Sequence, residues 1–159
     1  DVQRLRAMSC AIVTGVGTVL ADDCALTVRP QELGLSREAT RLAGGRQPMR
    51  VVLDSRLQTP ADAKVLDGAA PTLLCHDETV AVPAAIAASA VGRLALPRGD
   101  SGLDLQGLMK YLAAQQYNEI LVESGPRLAG ALLQAGLLDE MVAEREQQLV
   151  EHAQMELTE

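Results

Sequence analysis

Three observations predict an α/β fold, a mostly parallel sheet flanked by helices. Short apolar runs suited to buried strands recur at residues 11–14, 49–53, 72–75, 93–96 and 120–122, separated by turn-rich or helix-periodic stretches. Three of these runs, ending at Thr14, Leu53 and Val122, stop abruptly at glycine or polar residues, as strands do where they deliver a ligand loop. With 159 residues and 48% hydrophobic side chains, the chain has the size and apolar content of one domain with a sizeable core.

In chain order, residues 1–7 read as the end of a helix, with Val2 and Leu5 on one face and Arg4 and Arg6 on the other. The first strand, 11–14, ends in Gly15-Val16-Gly17-Thr18, where two glycines either admit a ligand close to the backbone or simply punctuate a turn. Residues 18–21 then form a short turn of helix or an irregular loop leading to Asp22-Asp23. Residues 30–47 are polar and turn-rich, a surface excursion around a short helix at 36–42. Strands follow at 49–53, closed by Asp54-Ser55, at 72–75 and at 93–96. Leu105, Leu108, Met109 and Leu112 mark a helix over 103–115, which leads to the strand 120–122. After the Gly125-Pro126 break, Leu128, Leu132 and Leu133 recur at helical spacing. Residues 144–159 turn polar directly after Leu137, Leu138, Met141 and Val142 and read as a solvated helix.

The stretch from Leu121 to Leu133 carries the most chemical information. An apolar strand stops at Glu123, turns through Gly125-Pro126 and restarts as a helix, so free backbone N–H groups and the positive helix end face whatever lies beyond the strand. Phosphate is the usual guest of such a terminus, although a plain strand-turn-helix connection has the same pattern. The spacing is neither GxGxxG nor a P-loop. Glu123 must be paired or must bind ligand hydroxyls, because an unpartnered buried carboxylate is costly. Asp22 and Asp23 are either site carboxylates or loop and capping residues, and Ser55 is either a phosphate or ribose ligand or a turn residue. Arg6 and Arg29 are the cations nearest these turns; a guanidinium suits bidentate phosphate binding, but most arginines merely solvate the surface, and local pattern alone favours that role for each.

Composition narrows the partners. Tyr111 and Tyr117 are the only aromatic residues, so stacking platforms for single-stranded nucleic acid are missing, and a net charge of −7 opposes a duplex-binding surface. The Ala-rich run 80–91 contains Pro83 and Ser89 and is too short for a membrane span. The first residues lack the cationic and apolar regions of a signal peptide. Cys10, Cys24 and Cys75 are odd in number and lack CxxC spacing, which suits reduced thiols in a cytoplasm, with Cys10 and Cys75 as strand or core residues. His76 and His152 have no close cysteine cluster, and no metal site is expected.

Four blocks, taken together, resemble a known family: Arg6-x-x-Ser9-x-Ala11-Ile12; Thr18-Val19-Leu20-Ala21-Asp22-Asp23-x-Ala25-Leu26-Thr27-Val28-Arg29; Arg46-Gln47-Pro48-x-Arg50-Val51-Val52-Leu53-Asp54-Ser55; and Val122-Glu123-x-Gly125-Pro126-x-Leu128. The family is the reductase half of the bifunctional riboflavin-biosynthesis deaminase/reductase, and the resemblance covers roughly residues 1–142. It implies a dihydrofolate-reductase-like α/β fold, and NADPH-dependent reduction of 5-amino-6-(5-phosphoribosylamino)uracil to the ribitylamino phosphate. Carried over residue by residue, it implies that Thr18, Asp22, Ser55, Gly125, Pro126, Arg127, Leu128, Ala129, Gly130 and Ala131 bind NADPH. It likewise implies that Arg6, Leu26, Arg29 and Glu123 bind substrate, the arginines holding its phosphate. Asp22 and Glu123 are the expected orienting or proton-handling groups. A homodimer is also implied, with residues 132–142 as one contact surface.

Several positions depart from the family pattern. Cys24 stands where Pro usually follows the paired aspartates, and Arg127 replaces a residue that is commonly smaller and polar. The zinc deaminase half and its His/Cys signature are absent, so no deamination is expected of this chain. The chain is expected to be a single reductase domain that lacks the opening strand and is atypical after 142. Residues are expected to be omitted between about 142 and 144, leaving residues 155–159 as a remnant of a late strand. The sequence offers no isolated clamp for a 2′-phosphate. Two other functions fit the same residues: a reductase of a different pteridine-like or sugar-amine substrate, which would not need both arginines, and a catalytically silent binding or dimerisation module.

Overall fold

A computed structural model describes residues 2–43 and 45–141. The chain runs α1 (Val2–Met8), β1 (Ala11–Gly15), α2 (Val16–Asp22), α3 (Arg37–Ala43), β2 (Met49–Leu53), β3 (Thr72–Asp77), α4 (Ala84–Ala87) and β4 (Gly92–Leu96). It continues through β5 (Arg98–Gly99), β6 (Gly102–Leu103), α5 (Leu105–Ala114), β7 (Ile120–Val122) and α6 (Pro126–Gln134). Five strands form one sheet in the order β4-β3-β2-β1-β7, and every pairing in it is parallel. This is the expected α/β fold.

Strand alternation divides the core into two layers. Ile12, Val52 and Leu74 point to one face, where they meet Val19 of α2, Leu26 and Ile86 of α4. Ala11, Val13, Val51, Leu73 and Cys75 point to the other, against Leu108 and Leu112 of α5, with Leu128 of α6 packed beside them. Covering both faces is why the strands are continuous apolar runs rather than alternating ones. It also fixes the register, because a slip of one residue would exchange the two layers.

The expected elements are present, with shifted boundaries. The α2 helix starts at Val16, directly after Gly15 in extended conformation, so the glycine turn is a strand passing straight into a helix. The helix expected from residue 103 begins instead at Leu105. Asp104 caps it by accepting the Gly107 N–H at 2.9 Å, and Leu103 pairs with Arg98 in the small β5–β6 hairpin. Strand β3 runs on to Asp77, with His76 and Asp77 both buried. The solvated helix and the strand remnant expected after residue 142 lie outside the described residues.

Arg50, in the middle strand β2, is completely buried. Its guanidinium donates to Ala70 O at 2.7 Å, Thr72 Oγ1 at 2.9 Å, Ala25 O and Asp67 Oδ1 at 3.0 Å, and Lys64 O at 3.2 Å. A buried cation is tolerable only when its donors are satisfied in this way. Arg50 is therefore a structural hub joining the segment after α2 to the loop before β3.

Candidate active site

Three strand ends meet. The turn after β1 brings Gly15, Thr18 and Asp22, the turn after β2 brings Leu53 and Ser55, and the turn after β7 brings Ser124, Gly125, Pro126, Arg127 and Leu128, all into the wall of one crevice of about 600 Å³. Open α/β sheets bind ligands at this carboxyl edge, and the volume suits a cofactor-sized guest. Ala131 lines the crevice one turn further along α6. Ala129 and Gly130 lie on the same helix but outside the lining.

The α6 helix starts with Gly125 as an extended N-cap without a side-chain cap, and Pro126 occupies the first turn. Its first N–H groups are thus left for a ligand, and Pro costs nothing where no donor is needed. A Cβ built on Gly125 or Gly17 meets nothing within 4 Å, so a ligand has room to approach both backbones. Asp22 and Arg127 are the charged side chains of the wall.

Ser55 is placed by its neighbour. Asp54 is fully buried; its Oδ1 accepts Gln58 N–H at 2.9 Å, and its Oδ2 accepts both the N–H and the hydroxyl of Thr59 at 2.7 Å. This closes the loop after β2 and aims residue 55 into the crevice.

Arg6 and Glu123 lie outside the crevice wall and hold each other. Arg6 Nε donates to Glu123 Oε1 at 2.6 Å, Nη2 donates to Oε2 at 2.7 Å, and Nη1 donates to Thr27 O at 3.1 Å. The hydrogen bond to Glu123 holds the Arg6 guanidinium above its already high ordinary pKa, against an opposing cost of burial. Glu123 is thus paired, one of the two outcomes its strand-end position allows.

The segment from Cys24 to Arg29 has no strand partner, and side chains supply the missing ladder. Gln47 accepts the Val28 N–H at 2.8 Å and donates to Val28 O at 2.9 Å, while Gln3 Oε1 accepts the Arg29 N–H at 2.7 Å. Arg6 and Arg50 take Thr27 O and Ala25 O. Leu26 has φ of +51° and is 2% exposed, a left-handed conformation that a branched side chain holds only because its surroundings dictate it. Leu26 packs into the α2-side core, and Arg29 sits on the surface, 2.7 Å from Glu32. Cys24 is half-buried; burial, and after it the charges of Asp22 and Glu123, push its thiol up. Asp23, in left-handed conformation at the end of α2, accepts the Lys64 N–H at 2.9 Å and so faces away from the crevice.

Other wall residues were not singled out from the sequence. Ser124 is one; its hydroxyl is buried and makes no hydrogen bond. It sits inside the strand-turn-helix stretch, so its position between Glu123 and Gly125 was a usable signal. Ser101, Gly102, Leu103 and Leu105 enter from the β5–β6 hairpin and the start of α5. A four-residue polar turn carries no periodicity to announce that.

Fold and site together define an α/β domain that binds its ligand in a crevice at the carboxyl edge of a parallel sheet. More particularly, the chain belongs to the RibD C-terminal domain family, whose model matches residues 1–143. It is 43% identical over 145 residues to riboflavin biosynthesis protein RibD of Escherichia coli, covering 89% of this chain and 38% of that protein. It is 36% identical over 141 residues to 2,5-diamino-6-ribosylamino-4(3H)-pyrimidinone 5′-phosphate reductase of Archaeoglobus fulgidus, covering 88% of this chain and 63% of that one. The solved structure of Acinetobacter baumannii RibD, form 2, superposes with a TM-score of 0.70 at 31% identity, over 94% of this chain and 43% of that chain. The chain therefore spans well under half of the RibD proteins it matches and just under two thirds of the archaeal reductase.

Proposed function

We propose that this domain is an NADPH-dependent reductase of a phosphorylated ribosylamino-pyrimidine, producing the ribitylamino phosphate of riboflavin biosynthesis. One observation carries the reading: the turns after β1, β2 and β7 meet around a single crevice in a chain of the RibD C-terminal domain family. The relatives named as pyrimidinone phosphate reductases share this domain.

The residues fit a dinucleotide. The uncapped start of α6, the open backbone at Gly17 and Gly125, and the Arg127 side chain suit its phosphates, while Thr18, Asp22 and Ser55 offer partners for ribose and amide groups. Along α6, Leu128 and Ala131 pack against it, with Ala129 and Gly130 completing the turn. NADPH, when bound, supplies the hydride that reduces C1′ of the opened ribose. The chain's own part is alignment and proton supply. Asp22, exposed at the crevice wall, orients the reacting groups and passes the proton directly or through water. Glu123, held rigidly by Arg6, accepts hydroxyl groups of the substrate. Arg29 is 60% exposed in its side chain and turns from Glu32 to the substrate phosphate, with Arg6 fixing the wall behind it and Leu26 presenting its backbone.

A homodimer and a cytoplasmic setting belong to the same reading, with exposed Leu133 and Met141 in the contact region. Titration with NADPH, followed by addition of 5-amino-6-(5-phosphoribosylamino)uracil, is the test, read by loss of nicotinamide absorbance. Binding without turnover would mark a silent binding module instead.

A further inference from the structure

Residues 27–29 are held like a β-strand that has no strand beside it. In an extended chain the N–H and C=O of one residue leave on one side, and those of its neighbours leave on the other. Gln47 serves the first side: its Oε1 accepts the Val28 N–H at 2.8 Å and its Nε2 donates to Val28 O at 2.9 Å, the exchange that a paired strand residue would make. The α1 helix serves the second. There Gln3 Oε1 accepts the Arg29 N–H at 2.7 Å, and Arg6, on the same face of α1, donates to Thr27 O at 3.1 Å. Side chains alternate accordingly, with Val28 buried and Arg29 exposed. Pro30 then ends the segment and favours an extended residue before it, as Arg29 is at φ −107° and ψ 96°.

We propose that Gln3 and Gln47 are positioning residues for the substrate: by gripping both edges of residues 27–29 they set where the Arg29 guanidinium meets the substrate phosphate. The inference rests on the reading of Arg29 above as a phosphate ligand and deepens it. The Arg29 side chain is exposed and pairs at 2.7 Å with Glu32, a surface carboxylate whose place a phosphate must take. An exposed guanidinium on a long flexible chain reaches many positions, so its aim comes from the backbone beneath it. The grip also spans the site, because Arg6 holds Thr27 O and Glu123 with one guanidinium. Phosphate and hydroxyl contacts are thereby fixed relative to each other, which brings the reacting carbon to one place. Gln47 is the informative member. It is half-buried and lies outside the crevice wall, and its amide supplies acceptor and donor together, which neither a carboxylate nor an alkyl chain can do.

The test is a selectivity ratio: kcat/KM for 5-amino-6-(5-phosphoribosylamino)uracil divided by kcat/KM for the same compound without its phosphate. Gln47→Met should lower this ratio about tenfold, through KM rather than kcat, while the Kd for NADPH moves less than about twofold. Gln47→Glu still accepts the Val28 N–H, is the variant least able to disturb folding, and should lower the ratio about threefold. Arg29→Met should lower it as well. Adding Gln47→Met to Arg29→Met should then lower it no further, because Gln47 acts through Arg29. Equal losses for both compounds, full additivity of the two changes, or an unaltered ratio in both Gln47 variants would overturn the positioning role alone. A wild-type chain that reduces neither compound, or a ratio that Arg29→Met leaves unaltered, would sink the reading of Arg29 as the phosphate ligand, and this role with it.

Discussion

Arg6 and Glu123, 117 positions apart in the chain, close a bidentate ion pair with contacts of 2.6 and 2.7 Å. The same guanidinium reaches on to Thr27 O, so one side chain fastens the N-terminal helix, the carboxyl end of β7 and the segment after α2. Their side chains are only 13% and 21% exposed, so the pair is screened less than a surface bridge. A planar fork matching a carboxylate also sets the angle of Glu123, which a lysine would not do.

Glu123→Gln removes the negative charge and one of two acceptors, leaving Arg6 poorly matched. Unfolding free energy should fall by about 1–3 kcal/mol, and turnover should fall as well. Denaturant titration of this variant, of Arg6→Met and of the double variant checks the pairing. The double loss should be smaller than the two single losses added, and simple additivity would mean that the two residues are not coupled.

Arg50→Met replaces the buried hub by a side chain of similar volume and leaves Ala25 O, Lys64 O and Ala70 O without their donor. The expected loss is about 3–5 kcal/mol, or on the order of 10 °C in Tm for a chain of this size. Arg50→Lys should recover little of it, because a single ammonium cannot reach acceptors spread around a planar fork. Thermal unfolding by circular dichroism measures both, and a Tm within two or three degrees of wild type would refute the hub.

Much of this was legible in the sequence because local chemistry dictates it. The apolar runs ending at Thr14, Leu53 and Val122 marked the strand ends, and glycine or polar residues after each marked the turns that meet at the crevice. Contacts between distant segments left no such trace. Nothing near Arg6 announces Glu123, and Arg50 looks like a surface charge until the whole strand is buried on both faces. The β5–β6 hairpin escaped because two-residue strands have no period to read. The left-handed backbone of Leu26, a residue the resemblance did name, escaped for the opposite reason: it is set by side chains of Gln47, Arg50 and Arg6 that hold its neighbours Val28, Ala25 and Thr27, not by its own preferences.

The three free cysteines should separate by pH and reactivity. A backbone hydrogen bond at Glu119, aided by Arg46, holds the exposed-side Cys10 thiol below its ordinary pKa, whereas burial pushes Cys75 up to about 12. With a thiol reagent near pH 8, Cys10 should react first, Cys24 more slowly and Cys75 only on unfolding. The raised Cys75 value also has a sign for stability. Above pH 9 the unfolded chain loses this proton while the folded chain keeps it, so the contribution is complete below pH 9 and is lost as pH rises toward 12. Cys75→Ala should flatten that part of the alkaline stability curve, and an unchanged slope between pH 9 and 11 would show that burial of the thiol is not its cause.

Arg127 offers a way to separate ligand binding from folding. It stands in the first turn of α6, exposed and in the crevice wall, where a cation opposes the helix dipole. Arg127→Glu should therefore leave Tm unchanged or raise it slightly. The same change places a carboxylate where the dinucleotide phosphates are proposed to lie, and should weaken NADPH about tenfold or more at low salt. Because the group is exposed, raising the ionic strength to about 1 M should shrink the difference from wild type severalfold. Binding titrations at two salt concentrations, with thermal unfolding alongside, distinguish the cases. Weaker binding with intact stability places phosphate beside Arg127; unchanged binding at both salts would put the phosphates elsewhere in the crevice.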